Sequence, residues 1–329
     1  MRELTISIPT YDRPDFLLKT LESLAKQIYA WRADVCIFIA DDHPSGKNLK
    51  IVEAIKKQYP LITIDYVSNI HNLGIDENIK NCILTPNSRF IWLLGEDDLI
   101  VEGAISNAMH IIKDHSPPFI FANYIYCDDQ HRRFARNAVI EERDGIEVVQ
   151  FDSFIANHVH LLGFIGGCII NRSAWVETPY EKFKGSFYTH VGGILESCRG
   201  RDIFVMHGLA VLNRAEDINT FTWSQSTFKV YFSFFDVLWA SSVAQDVCLL
   251  ERCIKSAQKL FSVFSLPWLV AKRADGVFNA SVFQSMYWAR DDIGRWWKLC
   301  AALIAIAPRT PLQILRRLHL KHRFSRVAI

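Results

Sequence analysis

Two kinds of hydrophobic pattern alternate over the first 126 residues. Continuous apolar runs at 35–40 and 90–94 read as strands buried on both faces, and apolar-rich runs at 4–9, 62–67 and 119–126 read as further strands. Between them, apolar residues recur at intervals of three and four. One such stretch begins at Pro14, with Leu17, Leu18, Leu21 and Leu24 on one face and Asp12 as its N-cap. Further helices are predicted at about 48–59, after Gly74, and over 102–114. Repeated strand–helix units of this kind build a mainly parallel sheet covered by helices on both faces. Beyond Cys127 the alternation weakens. A polar loop at 128–143 is followed by a glycine-rich strand at 163–170, a helix at about 191–197 and a strand at 203–212. From about Phe228 onward the pattern is helical and rich in aromatics. The expected organisation is an α/β domain over 1–225 and a helical C-terminal extension over 226–329.

Composition narrows the class. The chain has 329 residues, of which 50% are apolar and 22% charged, which describes a globular protein rather than a disordered one. A net charge of +2 implies no partner by itself, but the distribution does. After Asp292 there is no acidic residue, whereas Arg295, Lys298, Arg309, Arg316, Arg317, Lys321, Arg323 and Arg326 all follow it. Leu312, Ile314, Leu315, Leu318 and Leu320 interleave with four of those cations, a basic amphipathic pattern suited to an anionic membrane surface. No nucleic-acid recognition motif accompanies the charge, so nucleic acid is not an expected partner. Eight cysteines without a CxxC pair fit a reducing compartment. The N-terminus has no signal-peptide pattern, and the longest charge-free run of the tail, 299–308, is too short to cross a bilayer. A cytoplasmic protein, peripheral to a membrane, is expected.

Candidate chemistry lies at the ends of the predicted strands. The run Phe90 to Gly95 leads directly into Glu96-Asp97-Asp98, three acids that repel one another unless a cation, a donor or water compensates them. The first strand ends in Pro9-Thr10-Tyr11-Asp12-Arg13 and the second in Asp41-Asp42. Each of these alone reads as an ordinary turn or core residue. On parallel strands, however, they converge on the crevice where open α/β sheets hold ligands. His158 and His160 form a pair without an evident third ligand and read as structural.

The segments SIPTYDRPDFLLKTLESL, IFIADDHPSG, NLGIDENIK and IWLLGEDD resemble the family 2 glycosyltransferases of the GT-A fold. The likeness covers roughly 4–225 and points to bacterial transferases that build O-antigen and related surface polysaccharides, such as abequosyltransferase-like enzymes. It implies a Rossmann-like sheet that binds a nucleotide-diphosphate sugar. By resemblance, Tyr11 packs on the base, with Thr10 and Arg13 nearby. Asp42 hydrogen-bonds the base, with Asp41 beside it. Asn72, Gly74 and Asn78 form the NxGxxxN segment that brings a helix to the donor. Asp97 and Asp98 are DXD-type acids around ribose and metal, and Glu96 is a ribose or indirect metal contact.

Breaking the glycosidic bond builds negative charge on the departing diphosphate, so Mn²⁺ or Mg²⁺ held by Asp98 and Asp97 is expected. Inverting transfer also needs a base. His190, in the segment that follows Gly185, stands where the family supplies an acid, and an ordinary histidine pKa of about 6.5 suits the task. Contact with donor phosphate and capping of the helix are its alternative roles, and Glu196, about two turns on, is a second candidate. Arg214 either clamps the diphosphate or pairs at the surface with Glu216 or Asp217. The acceptor implied is a lipid-linked glycan at the cytoplasmic face of a bacterial inner membrane. A non-catalytic nucleotide-sugar binding protein remains an alternative. A sugar nucleotidyltransferase fits less well, because its basic glycine-rich loop would stand where Thr10 to Arg13 stand here.

Overall fold

The computed structural model describes residues 1–31, 34–133, 135, 137–215, 227–260, 265–288, 290 and 293–313. The α/β part runs β1 (Arg2–Thr10), α1 (Pro14–Trp31), β2 (Val35–Asp41), α2 (Leu49–Gln58), β3 (Thr63–Ser68), α3 (Ile75–Leu84), β4 (Ser88–Leu93), β5 (Leu99–Ile100), α4 (Ala104–His115) and β6 (Phe119–Cys127). It continues with β7 (Ile146–Gln150), α5 (Phe151–His158), β8 (Cys168–Asn171), α6 (Arg172–Val176), α7 (Thr189–Cys198) and β9 (Asp202–Arg214). Among the described residues these strands form one sheet in the order β3-β2-β1-β4-β8-β6-β9-β5, with β7 paired to β9.

β1 is the pivot. It pairs in parallel with β2 on one side and β4 on the other, so the strand order reverses about it. The register brings Thr10 opposite Asp41 and Ser7 opposite Leu93, and Leu94 N–H continues the ladder to the Ser7 carbonyl. The carboxyl ends of β1, β2 and β4 therefore lie along one edge. β8 runs antiparallel to both β4 and β6, while β9 runs parallel to β6, which brings Arg214 to that same edge. A crevice at such a reversal is where the fold leaves backbone ends free to meet a ligand. The core beneath it is Leu4, Ile6, Ile8, Ile37, Ile39 and Phe90 to Leu94, all essentially solvent-free, covered on one side by Leu17, Leu21 and Leu24 of α1.

Several sequence expectations change. The strand expected over 163–170 survives only as β8, because the glycine-rich part forms tight turns at Val159–Gly163 and Ile165–Gly167. Trp92 Nε1 donates to the Gly166 carbonyl at 2.9 Å, which takes that backbone out of the ladder. β7 and α5 were not predicted. Asp12 does not cap α1: Arg13 occupies that place, its carbonyl accepting from Leu17 N–H, and Asp12 pairs with Lys47 at 2.8 Å. All eight cysteines are free thiols, six of them buried.

The chain divides into two compact units, Met1–Ile218 with Asp236–Ser256, and Asn219–Phe235 with Ala257–Ile329. Three further helices begin the helical region: α8 (Thr227–Ala240), α9 (Val247–Leu260) and α10 (Leu266–Ala274). α11 (Ala280–Phe283), which runs into a π-helical turn over Gln284–Trp288, and α12 (Arg295–Ile306) complete it. The second unit has its own aromatic core. Phe228 packs against Phe278 and Trp268, the fully buried Tyr287 meets Phe232, and Arg290 lies over Phe232 at 4.9 Å. The basic tail expected beyond Gln313 lies outside the described residues. No described helix is long and apolar enough to cross a membrane.

Candidate active site

The two acids at the end of β2 are buried and committed to the protein. Asp41 accepts from Tyr66 Oη at 2.7 Å, Asn48 Nδ2 at 3.0 Å and His43 N–H at 3.0 Å. Asp42 accepts from Asn69 Nδ2 at 2.9 Å and from the N–H groups of Leu73 at 2.8 Å and Gly74 at 2.9 Å. Three donors on four lone-pair sites leave Asp42 room for about one more hydrogen bond. Asn72 also accepts from Gly74 N–H, and Asn78 donates to the Ala40 carbonyl at 3.0 Å. The segment 69–78 is thus stitched to the end of β2. Its turn needs Gly74, whose φ of 85° a side chain rarely tolerates.

Tyr11 is the open wall of the crevice. It is 37% exposed, with its ring 5.2 Å from that of His43. Its backbone N–H is held by Glu96 Oε2 at 3.0 Å, and the Thr10 hydroxyl donates to the same oxygen. Arg13 Nε lies 3.5 Å from the other carboxylate oxygen. Burial outweighs these favourable contacts and raises the Glu96 pKa to about 7. Glu96 therefore ties the ends of β1 and β4 together.

Asp97 and Asp98 divide their oxygens between protein and crevice. Asp97 Oδ2 takes Arg13 Nη1 at 3.1 Å and Arg214 Nε at 3.0 Å. Arg214 is 2% exposed, lies 4.5 Å over the Phe16 ring, and also donates to Asp129 at 2.7 Å. Its backbone N–H donates to Asp98 Oδ1 at 3.0 Å. The expected surface pair with Glu216 or Asp217 lies outside the described residues, and the described partners are Asp97 and Asp129. No described residue donates to Asp97 Oδ1, and besides the Arg214 amide the Asp98 carboxylate has the Gly95 backbone as a hydrogen-bond partner. Both carboxylates face Gly95: a Cβ there would collide with Asp98 Oδ2 and lie 3.3 Å from Asp97 Oδ1. Burial, then the charge of Asp97, pushes the Asp98 carboxyl well above the usual range. A cation at these two oxygens would relieve that desolvation. No cluster of three or more His, Cys, Asp or Glu ligands exists among the described residues, so the fitting donor set is two carboxylates with substrate oxygens completing the shell.

Position alone hides several contributors. Thr20 donates to the carbonyls of both Glu96 and Asp98, at 2.9 and 3.0 Å, and so fixes the acidic loop from α1. Its signal is a hydroxyl on the otherwise apolar buried face of that helix. Asn48 stands at the start of α2 yet turns its amide to Asp41 rather than capping. His131 Nε2 meets the Asp97 carbonyl at 2.8 Å, and nothing in the polar loop marks it in advance.

His190 does not join this group. It is 1% exposed at the start of α7, neither ring nitrogen makes a well-formed hydrogen bond, and its own carbonyl accepts from Trp175 Nε1 at 3.2 Å. Burial lowers its pKa to about 4, against weaker opposition from Asp76 and the Leu162 carbonyl. This corrects the expectation of an accessible imidazole poised near neutrality. Asp76 performs the capping considered for His190, accepting from Phe187 and Thr189 N–H groups at 2.9 and 3.3 Å. Glu196 is bound to Lys182 and Ser242 N–H, both at 2.8 Å. His158 lies in α5, while His160 contacts Ser256 at 3.0 Å.

A mainly parallel sheet reversing at β1, with acids and a glycine turn along the reversal edge, defines a doubly wound α/β protein with an open crevice at the switch point. The family model Glycosyl transferase family 2 matches residues 5–177, more than half of the chain, and the chain belongs to that family. Abequosyltransferase RfbV of Salmonella typhimurium is 20% identical over 199 residues, covering 57% of this chain and 59% of the relative. A Campylobacter jejuni GalNAc(5)-diNAcBac-PP-undecaprenol beta-1,3-glucosyltransferase is 26% identical over 109 residues, 33% of this chain and 34% of the relative. The chain thus spans about three fifths of the first and one third of the second. Staphylococcus aureus TarS 1–349 in complex with UDP superposes with a TM-score of 0.60 at 13% identity, over 96% of this chain and 91% of that one. The mannosyltransferase PcManGT of Pyrobaculum calidifontis, in complex with GDP-Man and Mn²⁺, gives 0.51 at 13% identity, over 92% and 85%. These likenesses establish the GT-A fold.

Proposed function

We propose that this chain is an inverting glycosyltransferase that moves a sugar from a nucleotide-diphosphate donor to a lipid-linked glycan in bacterial surface-polysaccharide synthesis. The observation that carries the reading is the reversal edge, where Tyr11, the Asp42-held turn and Asp97-Asp98 meet. The donor class draws support from TarS, solved with UDP and with UDP-GlcNAc, and the acceptor class from the undecaprenol-linked substrate in the Campylobacter relative's name. The membrane side draws on the acid-free, cation-rich tail after Asp292 and implies work at the cytoplasmic face of the inner membrane.

In this reading Tyr11 offers its exposed face to the base, and Asp42 gives its remaining lone pair to a ring N–H. Asp97 and Asp98 would hold Mn²⁺ or Mg²⁺, which would supply positive charge against that of the departing diphosphate. Arg214 and Arg13 keep the acidic loop neutral enough to fold and hold Asp97 at a fixed angle. Glu96 and Thr20 fix the loop's backbone, so the carboxylate oxygens that face Gly95 keep their separation when the donor arrives.

A thermal-shift series with UDP, GDP and dTDP, each with and without Mn²⁺, tests this reading. One nucleotide is expected to raise Tm by several degrees only with Mn²⁺, as binding to the folded state requires. Asp98→Asn is expected to lose the Mn²⁺-dependent part. If no nucleotide shifts Tm under any condition, the reading fails.

A further inference from the structure

Helix α12 presents its two faces very differently. Ala301 and Ala305 are buried within the second unit. On the opposite side stand Trp296, Leu299, Leu303 and Ile306, between 51% and 82% exposed. Their spacing of three, four and three residues aligns them along one side of the helix. A single exposed leucine is unremarkable, but a continuous apolar stripe of this kind marks a contact surface. Trp288, 64% exposed, stands at the same end, since Lys298 Nζ donates to its carbonyl at 2.9 Å. Arg295 opens the helix, Lys298 follows in its first turn, and Arg309 lies just beyond its end.

We infer that this face of α12 lies in the headgroup–acyl boundary of an anionic lipid bilayer. It rests on the peripheral-membrane part of the proposed function and names the surface that makes the contact. Twelve helical residues reach only about 18 Å, well short of a hydrocarbon core of about 30 Å, so the helix lies along the membrane rather than through it. Tryptophan at one end and cations beside an apolar stripe are the groups that settle at such a boundary. A second copy of the chain is the poorer occupant. Two α12 faces meeting about a two-fold axis would bring Arg295 and Arg309 of both copies together, with no acid after Asp292 to offset them. Anionic headgroups supply that charge.

Co-sedimentation of the full chain tests this, using vesicles of phosphatidylcholine alone and with added phosphatidylglycerol. The chain is expected to pellet with the anionic vesicles, with the difference between the two shrinking as salt is added. Leu299→Gln combined with Leu303→Gln is expected to weaken pelleting roughly ten- to a hundredfold. Because both side chains face solvent, Tm and the nucleotide-induced shift are expected to stay unchanged. Equal pelleting of the double variant and the parent overturns the inference and assigns binding to tail charge alone. A parent that is dimeric in solution, ignores vesicles and becomes monomeric in the double variant also overturns it. A missing nucleotide shift with vesicle binding intact counts against the transferase reading, not against this surface.

Discussion

A charged residue at a strand end is visible in a sequence, but its partners are not. Asp42 stands where the spacing puts it, yet most of its capacity goes to Asn69, Leu73 and Gly74. Arg214 was read as a phosphate clamp or a surface pair, and it is a buried counter-charge to Asp97. Both differences arise because partners separated by tens of residues leave no periodic trace. His190 makes the sharpest test at this scale. Its buried ring nitrogens lack proper partners, and unpaired buried polar atoms destabilise. His190→Leu is therefore expected to keep activity within a few-fold, whereas loss of a general base lowers rate by about 10²–10⁴.

The pH dependence of that variant has a defined sign. A histidine pKa of about 4 in the folded state, against about 6.5 unfolded, adds stability above pH 6.5 that drains away as pH falls toward 4. Glu96, raised to about 7, acts oppositely, its contribution falling as pH rises from about 4.5 to 7. Urea melts of parent and variant in EDTA should differ by a slope confined to pH 4–6.5. A variant with the parent's slope would mean that His190 is not held neutral.

Among elements, the fully buried strands were the easiest to read. β1, β2, β4 and β6 are rich in apolar residues on both faces because both faces are covered. β7 escaped notice because it is an exposed strand flanking β9, with a mixed sequence that carries no two-sided burial signal. The 163–170 stretch misled for the converse reason. Its residues are apolar and, from Gly166 on, buried, but Trp92 captures the Gly166 carbonyl and turns the backbone away. The contact joining β9 to the β4 loop is also testable. Arg214→Ala leaves Asp97 and Asp98 short of compensation and is expected to cost roughly 3–5 kcal/mol in chemical denaturation. Adding Asp97→Asn should return a large share of that loss, since the neutral amide no longer needs the guanidinium. Simple additivity of the two substitutions would show that the pair is not coupled.

At the scale of the whole molecule, a net charge of +2 conceals an uneven distribution, with groups of acids at the ends of β2 and β4 and only cations after Asp292. Hydrogen exchange with nucleotide and Mn²⁺ should register the first of these. Added protection is expected at the ends of β1, β2, β4 and β9, including the amides of Leu73, Gly74 and Arg214, and little in α10 or α12. Protection spread evenly over both units would contradict a localised donor site.

The insertion of β9 between β6 and β5 also bears on how the chain is made. Asp98 leaves the ribosome 116 positions ahead of Arg214, whose amide completes its hydrogen bonding. A nascent chain long enough to assemble β1 to β4 therefore already gathers three carboxylates with only Arg13 to offset them and lacks the guanidinium of Arg214. Such an intermediate is weakest at its future working edge, and synthesis of β9 converts that weakness into closure of the sheet. Chaperone dependence during synthesis should accordingly peak between the emergence of residue 98 and that of residue 214.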